Sequence, residues 1–215
     1  MSANGSAIYE ALEFASRVYQ ECNALTEVLR LGFSQLLCEA EIRKQYKIAD
    51  KKHQQGMRWQ EDSQSKGCLY NSMAYSLPLN RGRKKTPDAY LFFQISLTGD
   101  GMNSCGNKEP LLHIGLWEYG IDFADNSYMG FPLTFPHIIE NSVLLRWDWQ
   151  WLYTLNLCSI NDSADIDTKI FMPIRQLLCG VKTDEALPAT MGGLAHYIPA
   201  ADKFGHYHLS FSNPT

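Results

Sequence analysis

Three runs of alternating apolar and polar residues follow one another in this chain with no long helical segment between them. They cover residues 90–98, 111–119 and 143–157. A period of two is typical of strands that bury one face and expose the other. Consecutive strands without crossover helices are joined antiparallel, so the pattern predicts an antiparallel sheet and excludes a βαβ fold.

The N-terminal segment has the strongest helical pattern. From residue 6 to about residue 42, apolar side chains recur every three or four residues, which indicates a long amphipathic helix with one buried stripe. Ser6 can cap its start, and Gly32 is the one glycine at which the helix could kink or break. The stripe consists of Ile8, Leu12, Ala15, Val18, Cys22, Leu25, Leu29, Phe33 and Leu36. A face this long needs a broad surface to cover, so we expect it to pack on the sheet.

Length and composition favour one domain. The chain has 215 residues, of which 45% are hydrophobic and 20% are charged, and this is enough for a substantial core. We predict a single α+β domain over residues 1–215, with a long helix at about 6–42, a basic segment at 43–85 and a sheet of five to seven strands within about 69–211. Shorter strand patterns lie near 69–77, 166–172, 194–198 and 205–211, and Pro173 to Cys179 is typical of a short helix.

The run at 143–157 reads as one long strand. Its apolar face is rich in tryptophan and includes Trp147, Trp149 and Trp151, which we interpret as core under the helix. The opposite face, with Arg146 and Gln150, is predicted to be solvated. An exposed aromatic platform for a sugar or a nucleobase is the alternative.

The net charge of −4 hides a strong segregation of charge. Residues 43–85 hold eleven of the nineteen basic residues and only three acids, a net charge of +8. Such a segment can attract phosphates or an acidic protein surface. The alternative is a set of solvated or internally paired charges, because cations near a helix C-terminus are favoured by the helix dipole alone.

The basic segment supplies the predicted partner-binding residues. Arg43, Lys47 and Lys51 are spaced by four and form one stripe if the helix continues, whereas Arg81 belongs to a cluster in a loop before Pro87. Trp59 beside Arg58 could stack a base. The full predicted set is Arg43, Lys44, Lys47, Lys51, Lys52, Arg58, Trp59, Arg81, Arg83, Lys84 and Lys85.

A histidine group near the C-terminal end suggests a metal site as the alternative. His206 and His208 are two residues apart on a predicted strand, so both rings would share a face, and His196 and Asp202 could join them across a hairpin. These ligands suit a divalent metal ion. The corresponding function would be a metal-dependent hydrolase, although histidine is also common on a solvated strand face.

The six cysteines contain no CxxC pair, and we expect reduced thiols in a cytoplasmic protein. Cys105 lies in a glycine-rich loop before His113 and is the best candidate for a nucleophile. The sequence has no P-loop, GxGxxG, HExxH or GxSxG motif.

Other catalytic patterns are weaker. His208 and Ser210 match half of a two-histidine phosphoesterase motif, but the second half is missing. Asp88 precedes a strand as in restriction-endonuclease-like cores, but the Glu-x-Lys expected on the next strand is absent.

The sequence therefore favours binding over catalysis. We expect an accessory, inhibitory or regulatory protein that docks nucleic acid or an acidic protein surface through residues 43–85, without a cofactor. No apolar run is long enough to span a membrane, and the first residues do not read as a secretory signal. The long helix could also pair with its copy in a homodimer, and an adaptor that uses loops 99–110 and 120–142 is a third interpretation.

Overall fold

The computed structural model describes residues 5–49, 60–66, 69–82, 86–102, 104–123, 138–201 and 205–211. The N-terminal helices are α1 (Gly5–Leu36) and α2 (Ala40–Gln45), and the C-terminal ones are α3 (Ser163–Ile166), α4 (Met172–Leu178) and α5 (Thr183–Ala186). The strands are β1 (Tyr46–Ile48), β2 (Gln60–Lys66), β3 (Leu69–Arg81), β4 (Ala89–Ser96), β5 (Leu111–Trp117), β6 (Ile138–Glu140), β7 (Leu144–Trp147), β8 (Gln150–Asn156), β9 (Ala195–Pro199) and β10 (Tyr207–Phe211).

The main sheet has eight antiparallel strands in the order β1-β3-β4-β5-β8-β7-β6, with β2 also paired to β3. The short β1 and the longer β2 pair with different parts of the same edge of the long strand β3. A separate hairpin joins β9 to β10. The predicted α+β arrangement, a long N-terminal helix on a mainly antiparallel sheet, is confirmed.

Helices cover one face of the sheet. Phe33 of α1 packs edge-on against Phe93 of β4, with ring centroids 5.6 Å apart, and Phe171 packs against Phe33 from the C-terminal helical segment. The odd-numbered residues of β4 and β8 and the even-numbered residues of β5 point to this side. We call this cluster the helix-side core.

The β9–β10 hairpin covers the other face. Tyr197 and Tyr207 form a second cluster with Phe92, Trp117 and Leu152, which we call the hairpin-side core. The sequence predicted a polar, solvated second face for these strands, and this prediction was wrong. Every residue of β5 is buried, because both faces are covered.

The long helix is shorter than predicted and only partly packed. It ends at Leu36, and a turn leads to the separate helix α2. Gly32 does not break the helix. A Cβ atom at this position would meet the ring of Phe171, so the glycine allows close packing there. The N-terminal turns extend past the sheet, leaving Ile8 50% and Leu12 63% exposed on the line of the buried stripe.

The tryptophan-rich run is a hairpin, which corrects the single predicted strand. β7 and β8 are joined by a two-residue turn in which Asp148 has a φ of +52°. The turn changes the register, so Leu145 pairs with Leu152 in the hairpin-side core while Trp151 lies in the helix-side core. Gln150, predicted to be solvated, is buried, and its side-chain oxygen accepts a hydrogen bond from the Glu118 amide.

The C-terminal part mixes confirmed and wrong predictions. The predicted strand near 166–172 is helical instead, since a π-helical turn at Asp167–Phe171 connects α3 to α4. The predicted short helix is confirmed, with Pro173 in the first turn of α4. Arg175 of α4 forms a bidentate ion pair with Glu39, at 2.8 to 3.1 Å, and this pair ties the segment to the turn after α1. None of the helices in the described ranges combines the length and the apolar character that a membrane span requires.

Candidate functional site

A cleft of about 440 Å³ opens at one end of the main sheet, where α2 runs into β1. Its lining residues are Gln45, Tyr46, Arg81, Gly82 and Asp88, and we call it the Arg81 cleft. The Gly82 amide donates to the Gln45 carbonyl at 3.2 Å, and the Arg81 amide donates to the Asp88 carboxylate at 2.7 Å. The end of α2 and the end of β3 therefore meet at the cleft.

Arg81 is stacked on an aromatic ring at this cleft. Its guanidinium carbon lies 3.7 Å from the ring centroid of Trp149, in the turn between β7 and β8. Only β4 and β5 lie between β3 and β8 in the sheet order, so the two long side chains reach toward each other across two strands. Trp149 and Tyr46 both pack against the helix-side core, so the contact lies on the helix side of the sheet.

Two positive charges act on the Tyr46 ring at the cleft. Burial raises the pKa of Tyr46, and the positive charges of Arg81 and Arg146 partly oppose this rise. Arg146 is paired with Glu140 at 2.7 Å, so its charge is compensated. Arg81 stacks on the Trp149 ring, and the Asp88 carboxylate lines the cleft beside it.

Two further cations flank Gln45 in the sequence. Arg43 and Lys47 are exposed, and neither forms an ion pair within the described residues. Lys44 is also exposed, but it is paired with Glu41 at 2.7 Å. The predicted helical stripe of Arg43 and Lys47 was wrong, because α2 ends at Gln45 and Lys47 lies on β1 opposite Asn80.

The remaining predicted partner-binding residues cannot be placed at the cleft. They lie outside the described residues and are Lys51, Lys52, Arg58, Trp59, Arg83, Lys84 and Lys85. Trp149 and the Asp88 contact were missed by the sequence reasoning. Neither contact had a clear signal in the sequence. The two-residue turn that places Trp149 has the sequence Asp-Trp and lacks the glycine that marks most tight hairpins.

The C-terminal histidines lie on or next to the β9–β10 hairpin. His196 pairs with Ser210 and His208 with Ile198, so both rings are on the outward face of the hairpin, whereas His206 precedes β10. Across the part of the chain that the structure describes, no three His, Cys, Asp or Glu side chains are grouped to hold a metal ion. Asp202 lies outside that part. The metal-site prediction therefore gains no support.

Cys105 contacts His208, not His113. Its Sγ lies 3.6 Å from His208 Nδ1, and the two residues are 103 positions apart in the chain. His113 is instead buried in the sheet, where Nδ1 lies 2.8 Å from Thr154 Oγ1 and Nε2 donates to the Asp100 carbonyl. Burial lowers the pKa of His113 to about 4, so this ring is neutral.

Comparisons with known proteins give no match. The chain fits no protein-family model, and neither the curated proteins nor the solved structures contain a similar one. Functional inference therefore depends on the geometry.

Proposed function

We propose that the protein is a non-enzymatic binding protein, accessory, inhibitory or regulatory, that docks an anionic macromolecule at the Arg81 cleft. The observation that carries the proposal is the guanidinium of Arg81 stacked on Trp149 beside the half-buried ring of Tyr46. Arg43 and Lys47 add two exposed charges on either side of Gln45. The Arg81 guanidinium and the Tyr46 ring line the cleft, with Trp149 against Arg81, and a cation beside aromatic rings provides both phosphate attraction and a flat surface for a base.

The aromatic rings favour single-stranded nucleic acid over an acidic protein surface. An acidic protein needs only the charges, whereas unpaired bases also gain from stacking. We place the protein in the cytoplasm as part of the same proposal, because the five cysteines in the described residues are all free thiols.

The test is fluorescence anisotropy of a labelled single-stranded RNA across a salt series. We expect binding that weakens with salt, since each phosphate that a cation neutralises contributes about 0.7 to the slope of log K against log salt for a single strand. Changing Arg43→Gln and Lys47→Gln together should lower that slope by about 1.4. An anisotropy signal that is flat at every salt concentration would exclude the nucleic-acid partner.

The cleft itself is tested by Arg81→Gln. Removing the stacked guanidinium should weaken RNA binding by about tenfold, because a stacking contact contributes roughly 1–3 kcal/mol. Lys108→Gln is the matched control: it removes the same charge from an exposed side chain just before β5, at the opposite end of the sheet. Equal losses in the two variants would indicate nonspecific attraction by charge. If RNA does not bind but polyglutamate does, with the same dependence on Arg81, the partner is an acidic protein.

A further inference from the structure

The loop between β4 and β5 presents a thiol to an imidazole at the end of the sheet opposite the Arg81 cleft. Cys105 is half-exposed, and its Sγ lies 3.6 Å from Nδ1 and 3.9 Å from Nε2 of the exposed His208 ring. The loop is fixed to β10, because Ser104 forms a bridge with Tyr207 and the Cys105 amide donates to the Tyr207 carbonyl at 2.8 Å. The pair is therefore held by backbone contacts on both sides.

The carbonyl oxygen of Cys105 completes the arrangement. It lies 3.2 Å from His208 Nδ1, the same nitrogen that faces the sulfur. Because a carbonyl oxygen can only accept, Nδ1 carries the hydrogen in the neutral ring, and Nε2, 3.9 Å from the sulfur, is the nitrogen that can accept the thiol proton. Once Nε2 is protonated, its N–H group faces the thiolate while Nδ1–H still donates to this carbonyl, so the charged pair is stabilised by a hydrogen bond to the backbone.

We propose that Cys105 and His208 form a thiol–imidazole pair that makes Cys105 the site at which a small disulfide modifies this protein. The reagent class is a low-molecular-weight disulfide, for which glutathione disulfide is the probe. Nothing in the proposal depends on the Arg81 cleft, because the two sites lie at opposite ends of the sheet.

The reaction is a balanced thiol–disulfide exchange. His208 Nε2 takes the Cys105 proton, and the thiolate attacks one sulfur of the disulfide. A new S–S bond to Cys105 forms as the bond in the reagent breaks, so Cys105 is oxidised while one glutathione is reduced. The departing thiolate takes the proton from the His208 ring and leaves as a thiol.

The chain contains its own controls, since three other cysteines are more exposed than Cys105. Cys38, Cys158 and Cys179 are exposed, and within the described residues none is hydrogen-bonded to a histidine. Cys22 is buried, and burial raises the pKa of its thiol. If exposure alone decided reactivity, Cys105 would react more slowly than the three exposed thiols. The proposed pair reverses that order.

The experiment incubates the protein with glutathione disulfide at pH 7 and measures the rate at each cysteine by peptide mass spectrometry. An ordinary thiol is only a few per cent ionised at pH 7, so we expect Cys105 to react about tenfold faster than the three exposed cysteines. His208→Gln should reduce the Cys105 rate to theirs. His196→Gln, the same change on the same outward face of the hairpin, should leave it unchanged.

The pH dependence separates chemistry from a merely structural role of His208. Between pH 7 and 6 the rate at an ordinary thiol falls about tenfold, because its thiolate fraction falls by that factor. The wild-type rate at Cys105 should fall much less, and the His208→Gln rate should fall in the ordinary way. A tenfold fall in the wild type, or a Cys105 rate no higher than that of the exposed thiols, overturns the proposal without depending on any variant.

Discussion

The least expected residue in the interior is His113, because it belongs to a buried polar chain on the hairpin side of the sheet. Tyr197 OH and Thr154 Oγ1 share a 2.7 Å hydrogen bond, and Thr154 faces His113 Nδ1. Since Nε2 donates to the Asp100 carbonyl, Nδ1 must accept from Thr154, which in turn accepts from Tyr197. In this chain each hydrogen bond has one donor and one acceptor. The bond from Thr154 to Nδ1 can form only while the His113 ring is neutral.

His113 should make the fold sensitive to acid. Its folded pKa of about 4 lies below the ordinary value of 6.5, so between these values the unfolded chain binds more protons. Stability therefore decreases as the pH falls from 6.5 toward 4, by a total of about 3 kcal/mol. Urea denaturation of the wild type and of His113→Gln at several pH values measures this. The difference between the two should shrink on acidification, and a difference independent of pH would contradict the assignment.

Gly115 is a strand residue at which one added methyl group should be costly. A Cβ atom there would lie 2.6 Å from the ring of Phe92 and 2.7 Å from the carbonyl oxygen of Trp151. Backbone cannot yield as a flexible side chain can, so Gly115→Ala should lower the free energy of unfolding by about 1–3 kcal/mol. Gly5→Ala is the control, since nothing lies within 4 Å of a Cβ atom there. Equal stabilities of the two variants would contradict the tight packing of β5.

At the scale of elements, the sequence predicted which patterns form helices and strands better than where they end. The long helix stops at Leu36, and just beyond it Leu37 is buried and Glu39 pairs with Arg175, which lies 136 residues further along the chain. No local signal records such a contact. The hairpin turn at Asp148 also gave no local signal. The alternation of apolar and polar residues continues through the turn, although the two faces of the sheet that these residues point to are exchanged.

The candidate sites follow the same rule. Their residue types were visible in the sequence, including the basic residues of α2 and Arg81. The partners were not visible, because Arg81 meets Trp149 and Cys105 meets His208 only after the strands pair and the hairpin docks. Periodicity gives the face of an element, and long-range packing decides what lies against that face.

The two halves of α1 should respond differently to the same substitution. Leu29 is fully buried in the helix-side core, whereas Leu12 is 63% exposed on the same helix. Leu29→Ala should lower the free energy of unfolding by about 2–5 kcal/mol, and Leu12→Ala by less than about 0.5 kcal/mol. Urea denaturation gives both values. A comparable loss at Leu12 would show that its face is covered in solution, as the predicted homodimer through this helix requires.

At the scale of the whole molecule, the sheet is the middle layer between helices and the β9–β10 hairpin. The hairpin is a short element near the C-terminal end, yet Tyr197 and Tyr207 are both buried on the sheet. The two tyrosine rings pack edge to face with centroids 5.6 Å apart. Tyr197 also holds the end of the polar chain through Thr154. The hairpin is therefore expected to fold and unfold together with the sheet.

Hydrogen exchange distinguishes this integral hairpin from a peripheral one. Tyr197→Ala removes a buried ring and should lower the free energy of unfolding by about 3–5 kcal/mol. Amides of the central strand β5 exchange through global unfolding, so their exchange should accelerate by more than about a hundredfold. Ile198→Ala changes the next residue of the same hairpin, whose side chain is 51% exposed, and should accelerate neither element. If Tyr197→Ala speeds exchange in β9 and β10 but leaves β5 unchanged, the hairpin opens on its own and the sheet is stable with one face uncovered.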